Sequence, residues 1–200
     1  MNLAEEIRYN YSDYLEWDDD VRYELIDGVP YLMAAPSQKH QELSGELFRQ
    51  LSNWLRGKRC KVFHAAFDVR LNAKSYDNIV VQPDLLVVCD RRKLDGRSCV
   101  GAPDMIIEIL SPTNARHDEF VKFGLYQKAG VREYWIVDPE SKTVSVHILE
   151  NGRYYTDVYL AEDTVPVYVL EGCEINLADV FAEDEDEEED IDEIEDIAEL

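Results

Sequence analysis

Two carboxylates and one amine occupy positions where an ordinary protein core would hold apolar side chains. Glu108 interrupts the apolar run at residues 105–110, and Asp84 lies within the apolar stretch at residues 79–88. Lys122 falls on the inward face of a predicted helix. Buried charges are costly unless they are paired or bind a metal ion. Two acids and a lysine in such contexts therefore predict a hydrolytic metal site.

The chemistry that these groups support is the hydrolysis of a phosphodiester. Carboxylate oxygens are hard ligands that hold Mg²⁺ or Mn²⁺ and leave coordination positions for water and phosphate. Such an ion activates water and neutralises charge on the reacting phosphate. An ammonium group beside it can orient or deprotonate the water. Asp84, Glu108 and Lys122 supply these parts in that order along the chain.

Each of these residues also has a purely structural interpretation, which the sequence leaves open. Glu108 could form an ion pair with Arg116 or Arg132. Lys122 could pair with Asp118 one helical turn earlier, or extend its amine to solvent. A proline followed by an aspartate is also typical of a turn.

The apolar patterns predict the elements that position these residues. A short helix is predicted near residues 12–17, a long one from the N-cap Ser37 to Gly57, and another from Thr113 or Asn114 to Ala129. Asp27-Gly28 is typical of a hairpin turn, and residues 90–101 are predicted to be a charged loop. The predicted strands are residues 22–26, 29–34, 61–71, 79–88, 104–110, 133–137, 144–149, 154–159 and 165–170. The fold class is therefore α+β or α/β, with a mixed sheet and two principal helices.

The third of these helices determines how Lys122 is interpreted. Val121, Leu125 and Ala129 recur at helical spacing and form one apolar stripe, and Lys122 lies beside it. Tyr126 follows Lys122 by one turn. Because lysine is rarely buried without a partner, we treat its inward position as a sign of function.

Composition predicts one domain, residues 1–182, followed by an acidic tail, residues 183–200. The tail carries 13 acidic residues and no basic ones, which leaves −10 of the net charge of −23 on residues 1–182. A block of like charge repels itself and is typical of a disordered segment, although Ile191, Ile194, Ile197 and Leu200 could form a helical stripe on a partner. The domain has no basic arm of the kind that binds DNA tightly and without sequence preference.

Nothing in the sequence predicts insertion into a membrane or export. No apolar run approaches the length of a membrane span, and the first residues lack a signal-peptide pattern. We therefore expect a cytoplasmic protein with no membrane partner. Cys60, Cys89, Cys99 and Cys173 are scattered, without a C-x-x-C pair, so we expect reduced thiols rather than a zinc site or disulfides.

The histidines and buried aromatics carry a weaker signal. No two histidines have metal-ligand spacing. His40 lies in the first turn of the first long helix, where a surface histidine is expected, although it could reach the site. Tyr126 and Tyr134-Trp135 are expected to pack in the core rather than to stack on bases.

The sequence resembles the Uma-type restriction endonucleases in several separate motifs that occur in the same order. The resemblance covers roughly residues 12–180 and leaves the acidic tail outside. The family is similar to the PD-(D/E)XK nuclease superfamily, which implies a restriction-endonuclease-like fold, a central mixed sheet flanked by helices. The motifs are Tyr23-Glu24-Leu25-Ile26-Asp27-Gly28, Pro36 with His40, Gln82-Pro83-Asp84, Glu108-Ile109-Leu110-Ser111-Pro112-Thr113, Asp118, Lys122, Tyr126, and Gly130-Val131-Arg132-Glu133-Tyr134-Trp135-Ile136-Val137-Asp138-Pro139.

The resemblance implies a metal-dependent DNA endonuclease and a set of ligands. Asp84, Glu108 and the carbonyl oxygen of Ile109 would bind Mg²⁺ or Mn²⁺. The superfamily places its lysine two residues after the glutamate, where this chain has Leu110. In the Uma-type family a lysine on the following helix takes that role, and Lys122 occupies its place.

The resemblance also marks Glu24, which matches an acidic position of the opening motif. We expect Glu24 to join the catalytic residues and to complete the metal shell, through water. The structural alternative is that Glu24 is a surface residue of its strand and pairs with Arg22 or with a lysine.

DNA is the expected substrate, but a second functional class is open. The charge of −10 on residues 1–182 and the absence of a sequence-reading domain such as a helix-turn-helix also fit a catalytically inactive nuclease-fold module for binding or assembly. A homodimer would suit an enzyme that cuts both strands, and an unknown protein partner would then supply specificity. The sequence determines neither the oligomeric state nor the identity of a partner.

Overall fold

The structure, a computed structural model, describes residues 7–18, 21–111 and 121–182. Its helices are α1 (Tyr11–Tyr14), α2 (Gln38–Leu55), α3 (Phe123–Ala129) and α4 (Leu177–Val180). Its strands are β1 (Tyr23–Ile26), β2 (Val29–Leu32), β3 (Lys61–His64), β4 (Asp68–Arg70), β5 (Val80–Val81), β6 (Leu85–Val88), β7 (Ser98–Val100), β8 (Met105–Ile109), β9 (Glu133–Asp138), β10 (Thr143–Glu150), β11 (Arg153–Leu160), β12 (Thr164–Pro166) and β13 (Glu174–Asn176).

The strands form two large mixed sheets and a small hairpin. The six-stranded sheet has the order β11-β10-β9-β8-β6-β3, in which β8 and β9 are parallel and the other neighbours antiparallel. The five-stranded sheet has the order β2-β1-β5-β4-β7, with β4 and β7 parallel. Strands β12 and β13 pair with each other. Mixed sheets flanked by helices confirm the predicted fold class.

Helix α2 covers one face of the six-stranded sheet. It begins after Ser37, whose hydroxyl oxygen accepts a hydrogen bond from the His40 N–H at 3.2 Å, as the capping pattern predicts. Its inward stripe is buried against β6, β8 and β9. Each fully buried leucine contributes about 1.5–3 kcal/mol through removal from water. The stripe therefore holds the helix on the sheet, and its members are Leu43, Leu47, Leu51 and Leu55.

The opposite face of this sheet packs against α3 and the five-stranded sheet. Val69 and Val81 of the five-stranded sheet meet Leu86 and Ile106 of the six-stranded sheet in one apolar cluster, which also contains Tyr126 of α3. Side chains alternate between the faces of a strand. Glu108, two residues after Ile106, consequently points into this second layer.

The hairpin predicted at Asp27-Gly28 is present and closely packed. Both residues have positive φ, 50° and 78°, as a tight two-residue hairpin turn requires. The Tyr9 N–H donates to the Gly28 carbonyl at 2.9 Å, and a β-carbon on Gly28 would lie 2.9 Å from the Tyr9 carbonyl oxygen. Glycine is therefore needed here for its conformation and for the close approach of the N-terminal segment.

Two predicted strands are each divided in the structure. Residues 61–71 form β3 and β4, and residues 79–88 form β5 and β6, with each part in a different sheet. The second break falls at Gln82-Pro83-Asp84, where proline lacks a backbone donor for sheet pairing. The chain thus passes from the five-stranded to the six-stranded sheet within three residues.

Other boundaries also differ from the predictions. The expected loop at residues 90–101 contains β7, because residues 98–100 pair in parallel with β4. The sequence pattern did not predict β13 or α4. The predicted caps Thr113 and Asn114, and the tail at residues 183–200, lie outside the described residues.

Helix α3 corrects the predicted apolar stripe. Val121 is 39% exposed, so it does not mark the buried side. Tyr126 is buried within α3, and Lys122, directly before its first residue, is buried too. The helix ends at Ala129 as predicted, and Gly130 follows it in the left-handed conformation.

The expectation of four reduced cysteines is wrong for two of them. Cys60 and Cys89 form a disulfide. The register that pairs Lys61 with Val88 sets these cysteines opposite each other next to β3 and β6, although they are 29 positions apart in the sequence. Cys99 and Cys173 are buried free thiols, and burial raises their pKa values to about 12 and about 11, so both stay protonated. In the described ranges, no helix is long and apolar enough to cross a membrane.

Candidate active site

The sheet register brings the two predicted metal-binding carboxylates to the same face. Leu85 of β6 pairs with Ile107 of β8 in antiparallel orientation, and one further step of that register sets Asp84 opposite Glu108. Directly opposed residues of an antiparallel pair point to the same side of the sheet. Both carboxylates line one cavity of about 110 Å³, together with Lys122. The order of strands therefore gathers residues that are far apart in the sequence.

Lys122 connects the two large sheets through its ammonium group. Its Nζ atom lies 3.0 Å from Oε1 of Glu24, on β1, and 3.0 Å from Oε1 of Glu108, on β8. All three side chains are buried, at 4%, 3% and 3% exposure for Glu24, Glu108 and Lys122. Lys122 thus does not extend to solvent, and Glu24 is not a surface residue.

The structure answers for one of the ion pairs that the sequence left open, that of Arg132. Arg132 pairs with Asp104 at 2.9 Å and not with Glu108. Arg116 and Asp118 lie outside the described residues. Among described residues, the cation that meets Glu108 is Lys122.

Tyr126 fixes the position of the Glu108 carboxylate. Its hydroxyl donates to Oε1 of Glu108 at 2.6 Å, and its ring meets Tyr134 edge-on with the ring centres 4.9 Å apart. Burial, reinforced by the negative charges of Glu108 and Glu24, raises the pKa of Tyr126 well above its ordinary value. The phenol therefore remains a donor at neutral pH. Its predicted packing role is confirmed, and the bond to Glu108 is an addition.

Asp84 is held from two directions. Its Oδ2 atom accepts a hydrogen bond from the Ile109 N–H at 2.7 Å and lies 3.1 Å from Nε2 of His40. The expectation of a surface position for His40 is wrong, because the first turn of α2 faces the cavity and leaves the imidazole 12% exposed. The role of the Ile109 carbonyl as a metal ligand stays a prediction.

Gln82 is a part of the site that sequence reasoning did not identify. Its backbone N–H donates to Oε1 of Glu24 at 2.9 Å, and its side-chain oxygen accepts from Nε of Arg22 at 2.9 Å. Its amide nitrogen donates to the Tyr14 hydroxyl and to Oδ1 of Asp68, each at 2.9 Å. The available signal was its place in the motif Gln82-Pro83-Asp84, directly before a site carboxylate.

The donor chemistry of the cavity fits a hard divalent cation. Asp84 and Glu108 line the cavity with two carboxylates, and the ammonium group of Lys122 contacts Glu108 and also Glu24. The cavity is larger than the roughly 30 Å³ that one water molecule occupies in the liquid. Within the described residues, no three His, Cys, Asp or Glu side chains form a complete ligand cluster. Carbonyl, water or substrate oxygens would have to complete the coordination shell. Mg²⁺ is usually bound in this way, by one or two carboxylates together with water and substrate oxygens.

Comparison with known proteins shows which family the chain belongs to. Two cyanobacterial sequences from Synechocystis sp. (strain ATCC 27184 / PCC 6803 / Kazusa) are similar to the chain. The uncharacterized protein slr1290 is 28% identical over 157 residues, which cover 76% of this chain and 80% of that protein. The uncharacterized protein sll1609 is 28% identical over 135 residues, 64% of this chain and 73% of that protein.

A solved structure shares the fold. The crystal structure of "a putative nuclease belonging to DUF820" from Anabaena variabilis ATCC 29413 superposes with a TM-score of 0.71 at 21% identity, over 86% of this chain and 97% of that one. Residues 11–178 match the model of the Uma2 family, described as "Putative restriction endonuclease". The chain therefore belongs to the Uma2 restriction endonuclease family and has a restriction-endonuclease-like fold.

Proposed function

We propose that the protein is a metal-dependent DNA endonuclease that hydrolyses phosphodiester bonds at the cavity between its two sheets. One observation carries the proposal: Asp84 and Glu108 face the same cavity, with Nζ of Lys122 3.0 Å from the Glu108 carboxylate. Membership of a restriction endonuclease family supports nuclease chemistry in general. The metal dependence and the roles below are part of the proposal.

Asp84 and Glu108 would hold Mg²⁺ or Mn²⁺, with the Ile109 carbonyl and water as further oxygen ligands. The ion would supply Lewis-acid activation of water and of the phosphoryl group. The protein prepares both carboxylates in advance, because the Ile109 N–H orients Asp84 and the Tyr126 hydroxyl orients Glu108. Ligands held in this way do not need to reorganise when the substrate arrives.

Lys122 orients the attacking water and stabilises the negative charge that develops on the phosphate. Glu24 holds its ammonium group at 3.0 Å, and the Gln82 N–H in turn holds the Glu24 carboxylate. We therefore assign Glu24 the positioning of Lys122, and its participation in the metal shell through water stays a prediction. The lysine comes from the residue directly before α3, and Leu110 stands where the superfamily pattern has its lysine.

Cleavage assays test the proposal. Purified protein is incubated with supercoiled plasmid or circular single-stranded DNA and with Mg²⁺, Mn²⁺ or EDTA. Cleavage should require the metal and should be lost in Asp84→Asn, Glu108→Gln and Lys122→Met. Glu174→Gln, at an exposed carboxylate on β13, is the matched control and should cleave like the wild type. Wild-type protein that cuts no better than the three site variants would contradict the proposal.

A nuclease-fold module without catalysis is the second candidate. It is favoured by the missing three-residue ligand cluster among the described residues and by the contact of Lys122 with Oε1 of Glu108. Calorimetric titration with Mn²⁺ separates the two candidates. Binding that weakens in Asp84→Asn and Glu108→Gln supports the enzyme, and the absence of such binding supports the module. A homodimer, a protein partner for specificity and a cytoplasmic location stay predictions.

A further inference from the structure

We propose that Arg22 is a substrate-binding residue of this site, which contacts a non-bridging phosphate oxygen of the DNA backbone. The inference rests on the nuclease function proposed above and adds to it the group that receives the negative charge of the substrate. Three observations support it: an unsatisfied buried donor, the anchoring of the guanidinium group and the charge of its surroundings.

The guanidinium group of Arg22 offers a donor that the protein itself does not use. Arg22 lines the cavity shared by Asp84, Glu108 and Lys122. Its Nη2 atom is buried and has no hydrogen-bond partner within the described part of the chain. A buried charged donor without an acceptor is costly, and native proteins satisfy nearly all such groups. An anion that enters the cavity would provide the acceptor.

The orientation of Arg22 is fixed by a chain of hydrogen bonds from behind. Its Nε atom donates to the side-chain oxygen of Gln82 at 2.9 Å. The amide nitrogen of Gln82 is occupied by Tyr14 and Asp68, so the amide keeps its oxygen directed at Arg22. The hydrogen bond to Gln82 uses Nε of Arg22 and leaves Nη1 and Nη2 for a ligand. A planar guanidinium held in this way matches the geometry of a phosphate group.

The charge around Arg22 explains why this residue and not Lys122 should receive the phosphate first. Lys122 already contacts the carboxylates of Glu24 and Glu108. Across residues 7–18, 21–111 and 121–182, Arg22 takes part in no ion pair, and its side-chain hydrogen bond goes to the neutral Gln82. Arginine remains charged at any relevant pH. It therefore offers an uncompensated positive charge beside carboxylates that would otherwise repel DNA.

Equilibrium binding of DNA tests this role. The affinity for a short fluorescent duplex, and for one of its single strands, is measured by anisotropy with Ca²⁺ over a range of salt concentrations. Arg22→Gln should weaken binding about 10- to 100-fold, the usual loss for a hydrogen bond to a charged group. It should also reduce the slope of log K against log salt by about 0.9 on the duplex, as expected for one lost phosphate contact.

Two further variants control the result. Arg22→Lys keeps the charge but loses the planar fork, so its salt slope should match the wild type while its affinity falls. Arg92→Gln removes an arginine that is 88% exposed and pairs with Asp90, and it should change neither affinity nor slope. Wild-type affinity in Arg22→Gln would overturn the inference. If Arg22→Gln does not fold, wild-type affinity in Arg22→Lys would overturn it.

Titration with Mn²⁺ on the same proteins distinguishes this inference from the proposed function. Arg22→Gln should bind Mn²⁺ at least as tightly as the wild type, because it removes a positive charge from the cavity. Loss of Mn²⁺ binding in that variant would indicate a structural role and overturn the inference. The proposed function fails on different evidence, which is the absence of metal-dependent cleavage by the wild type.

Discussion

Two buried glutamates on neighbouring strands of one sheet differ in what surrounds them. Glu108 on β8 is 3% exposed, and Glu133 on β9 is 0% exposed. The parallel register pairs Glu133 with Met105, three residues before Glu108. Because side chains alternate along a strand, the two carboxylates point to opposite faces of the sheet. Glu108 faces the five-stranded sheet, and Glu133 faces the layer that contains α2.

The partners of these carboxylates differ in kind. Burial raises the pKa of Glu133, while its hydrogen bonds partly oppose that shift. Those bonds come from neutral donors, whereas Glu108 receives an ammonium group and a hydroxyl and shares its cavity with Asp84. Burial alone therefore does not identify a functional carboxylate. A neighbouring cation, a second acid and access to a cavity are what distinguish Glu108 from Glu133. The donors to Glu133 are the Trp135 indole at 2.8 Å and the N–H groups of Tyr168 at 3.1 Å and Val169 at 2.8 Å.

The largest expected difference between the two glutamates is in cleavage. Glu108→Gln should reduce the cleavage rate on the order of 10³-fold or more, because metal-assisted charge stabilisation contributes several kcal/mol and each 1.4 kcal/mol is tenfold. Glu133→Gln should stay within a few-fold of the wild type once folded. Rates on plasmid DNA, normalised to folded protein, check both. If both variants lost cleavage activity equally, Glu108 and Glu133 would not differ in function.

The next effect concerns the ammonium group of Lys122, which contacts Glu108 and not Glu133. Lys122→Met leaves the carboxylates of Glu24 and Glu108 without their shared ammonium group and should destabilise the fold by about 3–5 kcal/mol. Mn²⁺ should restore part of this loss, because binding to the native state stabilises it. Urea denaturation with and without Mn²⁺ measures both, with the exposed Lys39→Met as control. The idea fails if Mn²⁺ stabilises Lys122→Met no more than the wild type.

The buried histidine His147 can be compared with the two buried glutamates, Glu108 and Glu133. His147 lies on the same side as Glu108 but among the rings of Phe123, Tyr134 and Tyr154. Burial lowers its pKa from 6.5 to about 4, so below pH 6.5 the unfolded chain binds a proton that the native protein does not. Stability should fall as pH drops from 6.5 toward 4, by about 3 kcal/mol.

The variant His147→Gln should remove this pH dependence while cleavage at neutral pH is retained. Urea denaturation across that pH range, for wild type and variant, is the measurement. An unchanged dependence of stability on pH would show that another group is responsible. A large loss of cleavage at pH 7 would place His147 with Glu108 rather than with Glu133.

The smallest expected effect is the stability of Glu133→Gln. Its amide would turn an N–H₂ group toward one of the backbone donors, at a cost of about 1–3 kcal/mol. Because the folded pKa of Glu133 is raised from 4.5, wild-type stability should decline as pH rises above 4.5 through the folded value. The variant should lack this decline, which chemical denaturation can detect. Identical pH profiles would contradict the role of burial at this site.

Local pattern predicted much of the fold and the central charges of the site. The hairpin at Asp27-Gly28 and the N-cap at Ser37 depend on neighbouring residues alone, so the sequence was sufficient. Glu108 and Lys122 were detectable because a charge interrupts a buried pattern. The same reasoning placed Val121 inside, since an apolar residue gives no sign that its side of a helix is exposed.

What the sequence did not reveal depends on tertiary register. Cys60 and Cys89 meet only because β3 and β6 are neighbours in a particular alignment. His40 reaches Asp84 only because α2 crosses the sheet with its first turn over the cavity. The importance of Gln82 and Arg22 lies in hydrogen bonds between residues about 60 positions apart. No local pattern encodes these distances.

The passage of the chain between sheets at residues 82–84 should make the geometry of the candidate site sensitive to distant packing. Glu24 belongs to one sheet and Glu108 to the other, and Lys122 is matched to the gap between them. Any change in how the sheets rest on each other shifts that gap. Val69→Ala, deep in the shared apolar layer, should therefore lower the proposed cleavage activity without altering any charge. Substitutions in this layer would thus change the proposed activity while every polar residue of the site is retained.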